Sequence, residues 1–213
     1  MRSYKRADSK LMLLTGIFTA LYVLSNLIAM KQTDVGSLTL PLGLLAIPIT
    51  FLITDVVNEI YGPDAARGVV TSGFVAMAFV LCITQIAVRL SPSIHFQYQE
   101  AFALVFGAVP RITLGSVCAY VVSQYHDVWA FEFWRRATKG KHLWIRNNLS
   151  TIASQAMDTA IFVLVAFGGT MPIEVLKSMI LGQLVVKWIL ALLDTPFCYL
   201  LVAWAKDGDI NLR

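Results

Sequence analysis

Six apolar runs divide this chain: Leu11–Met30, Leu38–Ile60, Gly68–Leu90, Arg111–Phe133, Leu149–Phe167 and Met179–Ala205. Each is close to the ~20 residues that a helix needs to cross ~30 Å of hydrocarbon. The segments between them are short and polar, with no linker and no low-complexity stretch. The pattern predicts an all-α, polytopic integral membrane protein, a six-transmembrane-helix bundle forming one domain over residues 1–213. Two places break the regularity. Pro48, inside the second run, removes a helical hydrogen bond and should kink or break that helix near mid-membrane. The stretch Ala101–Val109 is apolar but too short to cross, and reads as a re-entrant or interfacial helix.

Composition agrees with this reading. The chain is 57% hydrophobic and 14% charged over 213 residues, more apolar surface than a soluble domain of this size hides. The first run follows a basic start, as in a signal peptide. It is too long for that, and no small-x-small site ends it. Basic residues set the orientation. Arg2, Lys5, Arg6, Lys10, Arg67, Arg135, Arg136, Lys139, Lys141, Arg146, Lys206 and Arg213 all fall on one face of a six-span topology. Lys31 and Lys177 fall on the other, with Arg89 near its boundary. Both termini are therefore expected in the cytoplasm. The net charge of +4 reflects this asymmetry and gives no reason to expect nucleic acid. Cys82, Cys118 and Cys198 read as small packing residues in the spans. His95, His126 and His142 are scattered, and no metal site or cofactor is expected. Asn148-Leu-Ser150 matches a glycosylation acceptor but falls on the inner face.

The candidate chemistry lies in the spans. Asn26, Asp55, Asn58, Glu59, Gln85, Arg111, Asp127, Gln155, Asp158, Lys187 and Asp194 are polar residues in apolar runs. Left unpaired, Asp158, Lys187 and Asp194 alone would cost roughly 8–10 kcal/mol together. Lys187 can balance Asp158 as an ion pair, or both can line a solvated hollow. Arg111, at the start of the fourth run, is expected to snorkel to headgroups. Asp55, Asn58 and Glu59 stand at i, i+3 and i+4, with Phe51 a turn earlier, so carboxylates, an amide and a ring share one helix face. That set suits a flat, donor-rich heterocycle. A helix end meeting water explains Glu59 equally well, but Asp55 lies a further turn inward. Ser-Gln-x-x-Asp-x-x-x-Phe occurs twice, at Ser123–Phe131 and Ser154–Phe162. The two form antiparallel stripes like those flanking transporter sites, though chance explains the match as readily.

The segment Thr54-Asp-Val-Val-Asn-Glu-Ile-Tyr-Gly62 resembles the signature of the VUT family, the YhhQ-type queuosine-precursor transporters. Ser25-Asn26-Leu-Ile-Ala29 with Lys31, Ser154-Gln155 with Asp158, and Lys187 followed by Thr195-Pro196 fit the same family. The resemblance implies a six-helix importer in the bacterial inner membrane. It would carry 7-cyano-7-deazaguanine, with 7-aminomethyl-7-deazaguanine as a second substrate, for making queuosine in tRNA. Asn26, Phe51, Asp55, Asn58, Glu59, Gln155, Asp158 and Lys187 are then the substrate-binding residues. The partners expected are that small base and the lipid bilayer, with a homo-oligomer left open. No hydrolase, metal-protease or phosphate-loop motif is present, so no catalytic residue and no enzyme is expected. The competing reading is a substrate-binding membrane subunit of a multi-component, energy-coupled importer.

Overall fold

The computed structural model describes residues 2–137 and 143–206. They form helices α1 (Arg2–Ile28), α2 (Ile47–Tyr61), α3 (Pro63–Arg89), α4 (Gln99–Ala137), α5 (Leu143–Phe167) and α6 (Ile173–Lys206). A short hairpin, β1 (Gln32–Val35) and β2 (Leu38–Pro41), and a 3-10 turn at Leu42–Leu45 separate α1 from α2. The fold is thus mostly helical but not purely so. Among the described residues, four stretches are long and apolar enough to span a membrane: Ser9–Ile28, Leu42–Tyr61, Asp64–Arg89 and Gln99–Ser123. Ile152–Phe167 is a shorter apolar segment. The side chains of Arg2, Lys5, Arg6, Asp127, Phe131, Arg135, Arg146, Asn148, Ser150, Asp194, Thr195, Pro196, Cys198 and Lys206 lie outside the described residues, as do Lys139, Lys141, His142 and Arg213 entirely.

Three expectations change. Leu38 opens a strand rather than a helix, because Gly36, at φ 62°, turns the chain back on Gln32–Val35. Pro48 sits in the first turn of α2 and kinks nothing, since a missing N–H costs no helical bond at that position. Ala101–Val109 is no separate segment but the first part of the 39-residue α4.

The chain divides into two compact units, residues 1–31, 41–107 and 187–213 in the first, and residues 32–40 and 108–186 in the second. In the first unit Leu14 and Phe18 of α1, Ile53, Val56 and Val57 of α2 and Val69 of α3 build the core. Gly62, at φ 86°, lets α2 turn directly into α3, a backbone state that other residues rarely adopt. Close approaches tie the helices. A Cβ on Gly43 would stand 2.4 Å from the Ser25 carbonyl oxygen, and one on Gly73 would stand 2.8 Å from the Phe18 ring. The Thr19 and Ser72 hydroxyls pair at 3.1 Å between α1 and α3. Met12, Leu13, Ile17 and Leu24 on α1, and Val75, Phe79, Ile83 and Ile86 on α3, stay exposed, as lipid-facing residues do. Cys82 is among the exposed residues and Cys118 is half-buried, both as free thiols, so Cys82 packs less than its type suggests.

Pro110 stands inside α4 and has no N–H to give the Phe106 carbonyl one turn back. Gln85 of α3 supplies the missing donor, its Nε2 lying 3.2 Å from the Phe106 oxygen. Membrane helices tolerate proline where a neighbour satisfies the freed carbonyl in this way. We expect Gln85→Leu to lower stability by roughly 1 kcal/mol, and to be nearly neutral when Pro110→Ala restores the backbone bond. A double-mutant cycle of thermal unfolding in detergent measures this coupling; equal losses in both backgrounds would refute the pairing.

In the second unit the hairpin docks on the first turns of α6. Ser178 Oγ donates to the Ser37 carbonyl at 3.1 Å and accepts from the Thr39 amide at 3.0 Å. Gly182 leaves room for Leu38 and Leu40, with a Cβ there reaching within 2.7 Å of Leu40 Cδ2. Helices α4 and α5 run antiparallel in close contact. A Cβ on Gly115 would come within 3.2 Å of both the Phe162 carbonyl and the Ala166 amide. Small residues at such crossings let membrane helices approach closely.

Candidate functional site

The expected site residues fall into two groups, one in each unit. The first unit holds Asn26, Phe51, Asp55, Asn58, Glu59 and Lys187, and the second holds Gln155 and Asp158.

Helix α2 sorts its residues sharply by face. Ile53, Val56 and Val57 are buried at i, i+3 and i+4, while Phe51, Asp55, Asn58 and Glu59 are exposed. The carboxylates and the amide thus share a face turned away from the unit's own core, as the spacing requires. Asn58 also serves the turn, its carbonyl accepting from the Gly62 amide at 3.1 Å. Asp55 has an interaction partner. Such a face can hold a planar ligand by carboxylate and amide hydrogen bonds, with the Phe51 ring, half exposed at 53%, available to stack.

Asn26 differs. It is buried at 4% exposure, and its Nδ2 donates to the Tyr22 carbonyl at 2.9 Å. One amide hydrogen is thereby committed to its own helix, beside Ser25 Oγ, which donates to the same carbonyl at 2.8 Å. Lys187 is half-buried on α6 and has an interaction partner. An open, largely apolar concavity of about 710 Å³ runs along α1, lined by Leu11, Met12, Thr15, Gly16, Thr19, Ala20 and Val23. It touches none of the expected site residues.

In the second unit, His126 and Ser154 join α4 to α5, with Nδ1 and Oγ 3.0 Å apart. Ser154 is buried, Gln155 and Asp158 are half-buried, and Thr159 is fully buried. The antiparallel register that sets Gly115 against Phe162 and His126 against Ser154 places Ser123 at the height of Asp158. Ser123 is buried, and its hydroxyl turns back to the Tyr120 carbonyl at 3.1 Å. The serines of the repeated pattern therefore lie where the two helices meet. Sequence spacing pointed to Asp127 as the α4 partner of that pattern; His126 is the residue seen reaching across. Nothing in the sequence singled it out, because only the helix pairing brings Ser154 opposite.

Arg111 was expected at the outer boundary. It lies within the Gln99–Ser123 stretch, and its Nε donates to the Val165 carbonyl at 2.8 Å while Nη2 donates to the Gly168 carbonyl. The guanidinium caps the C-terminus of α5, whose last carbonyls have no helical partner and whose dipole favours a cation. Among the described residues, no group of three or more His, Cys, Asp or Glu could hold a metal ion.

Comparison with known proteins adds what geometry alone does not. Residues 41–201 match the family described as "Putative vitamin uptake transporter". A Bacillus subtilis (strain 168) protein named "Probable queuosine precursor transporter" is 35% identical over 178 residues, 83% of this chain and 78% of the relative. A Haemophilus influenzae (strain ATCC 51907 / DSM 11121 / KW20 / Rd) protein of the same name is 32% identical over 125 residues, 59% of this chain and 51% of the relative. No solved structure matches.

Proposed function

The chain belongs to the vitamin uptake transporter family, a multi-pass membrane transporter and not an enzyme, and from that premise we propose that it imports a queuosine precursor. The observation that carries the reading is the likeness to the Bacillus subtilis protein over most of both chains. The base proposed is 7-cyano-7-deazaguanine, with the aminomethyl form as second substrate. The membrane is the bacterial inner membrane, crossed six times with both termini inside, as the distribution of Lys and Arg supports.

The exposed face of α2 supports the same reading. The edge of a deazaguanine presents two adjacent N–H donors, which one carboxylate of Asp55 or Glu59 accepts in a parallel pair. Asn58 offers both a donor and an acceptor to the remaining edge, and Phe51 stacks on the ring. In the second unit Gln155 and Asp158 offer a second polar surface. Lys187 balances carboxylate charge, and Asn26 contributes what its bond to Tyr22 leaves over. Import requires such groups to be exposed alternately to the two sides.

The test is direct. Purified protein in detergent is titrated with 7-cyano-7-deazaguanine, its aminomethyl analogue and guanine. Tighter binding of either deazapurine than of guanine is expected, and uptake of the same compound into liposomes by the protein alone. Equal binding of guanine would refute the substrate, and uptake only with added partner proteins would favour a subunit of a larger importer.

A further inference from the structure

One buried amide of the second unit is left unused by the substrate reading. Gln183 of α6 is 2% exposed, and its Nε2 has no hydrogen-bond partner among the described residues. Other interior amides are served: Asn26 donates to the Tyr22 carbonyl and Gln85 to the Phe106 carbonyl. A buried donor without a partner is destabilising, and native structures pair nearly all such groups. Keeping one requires a compensating role. Resting on the proposed function, we propose that Gln183 binds the transported base, its amide N–H donating to the ring carbonyl oxygen. Thr113 and Gln32 also carry buried polar atoms without partners. The Thr113 hydroxyl can rotate onto a carbonyl of its own helix, and Gln32 is only half-buried at a strand end, so neither calls for a ligand.

The fold sets Gln183 in the right layer. Leu176, Met179 and Gln183 stand at i, i+3 and i+7 and are all buried, so they share the inward face of α6. Gly182, the residue before, meets Leu38 and Leu40 of the hairpin on a different side of the helix. Residues 168–172 join α5 to α6, a connection short enough to make them antiparallel neighbours. Gln183 follows Ile173 by ten residues, and Asp158 precedes Phe167 by nine. At about 1.5 Å of rise per residue both lie roughly 15 Å from that connection. Asp158 and Gln183 therefore share a layer of the second unit. The chemistry of the base calls for such a donor. Carboxylates of the proposed site accept its two adjacent N–H groups, but the ring carbonyl beside them is an acceptor that no carboxylate can serve. A donor fixed there also selects, since an analogue with a poor acceptor leaves a buried amide unpaired. Alternating access accounts for the burial, because the site must close to one side while it opens to the other.

Gln183→Met keeps the length of the side chain and removes the amide. In buffer alone the variant should unfold at a higher temperature than wild type, because an unmet polar group is gone. Calorimetric titration in detergent should show it binding 7-cyano-7-deazaguanine about tenfold more weakly. A second probe isolates the carbonyl. The analogue with sulfur in place of the ring oxygen keeps both N–H groups but accepts a hydrogen bond poorly. Wild type should bind it about fivefold less tightly than the oxygen form, and Gln183→Met should bind the two within about twofold of each other, the coupling that a cycle of variant and analogue measures. Gln183→Leu completes the same cycle if the methionine variant does not fold. Wild-type affinity in Gln183→Met, or an oxygen-over-sulfur preference that survives the substitution, would overturn the proposal and leave the substrate reading standing. A lowered unfolding temperature with that preference unchanged would make Gln183 a packing residue and overturn it too. Binding of neither compound by the wild-type protein would refute the substrate reading, and this proposal with it.

Discussion

Glu59→Gln and Asp158→Asn should each reach the membrane in normal amount and lose uptake by about tenfold to a hundredfold. The size follows from a hydrogen bond to a charged group, worth roughly 1.5–3 kcal/mol. Both substitutions keep shape and remove only the negative charge. Neither residue belongs to the buried core of α2 or the Gly115 contact of α5, so the fold should stand. Asp55→Asn should behave likewise, and Val56→Ala, a change in the core, should lower stability instead of selective uptake. The measurement is initial uptake of labelled 7-cyano-7-deazaguanine, normalised to protein in the membrane fraction. Wild-type uptake by both Glu59→Gln and Asp158→Asn would remove these carboxylates from substrate handling and leave the substrate resting on family membership.

The largest effect on stability is expected at Arg111. Its guanidinium donates to the Val165 and Gly168 carbonyls inside an apolar stretch where water offers little replacement. Arg111→Met removes both donors and leaves the end of α5 uncapped, costing about 3 kcal/mol or more. For a chain of this size that corresponds to a fall in thermal midpoint on the order of 6–12 °C. Arg111→Lys should recover less than half, because an ammonium on a flexible stem cannot place two donors in a fixed fork. Thermal unfolding in detergent measures both variants. Wild-type stability of Arg111→Met would mean that the contact is incidental.

Hydrophobic periodicity located α1 and α3 well, since long apolar runs bounded by polar residues leave a helix little choice. It placed the start of the second span wrongly, because Leu38–Leu40 reads the same as the first turn of a buried helix. What decides the strand is the turn at Gly36 and the grip of Ser178, a residue far away in sequence. Pro110 stands inside α4, and the glutamine that makes it tolerable lies on another helix. The face shared by Asp55, Asn58 and Glu59 followed directly from i, i+3, i+4 spacing, and its exposure agrees. Asn26 was placed in the same set, but spacing along one helix does not reveal that its amide turns back to Tyr22. Arg111 and His126 were invisible as partners, because their meaning depends on which stretch of α5 each one meets.

The pairing of Gln85 with Pro110 also bears on how related chains diverge. A lineage that loses the proline regains the amide hydrogen and frees the glutamine to drift, whereas one that keeps the ring must hold a side-chain donor at position 85. The two positions should therefore covary, though 25 residues separate them in the chain.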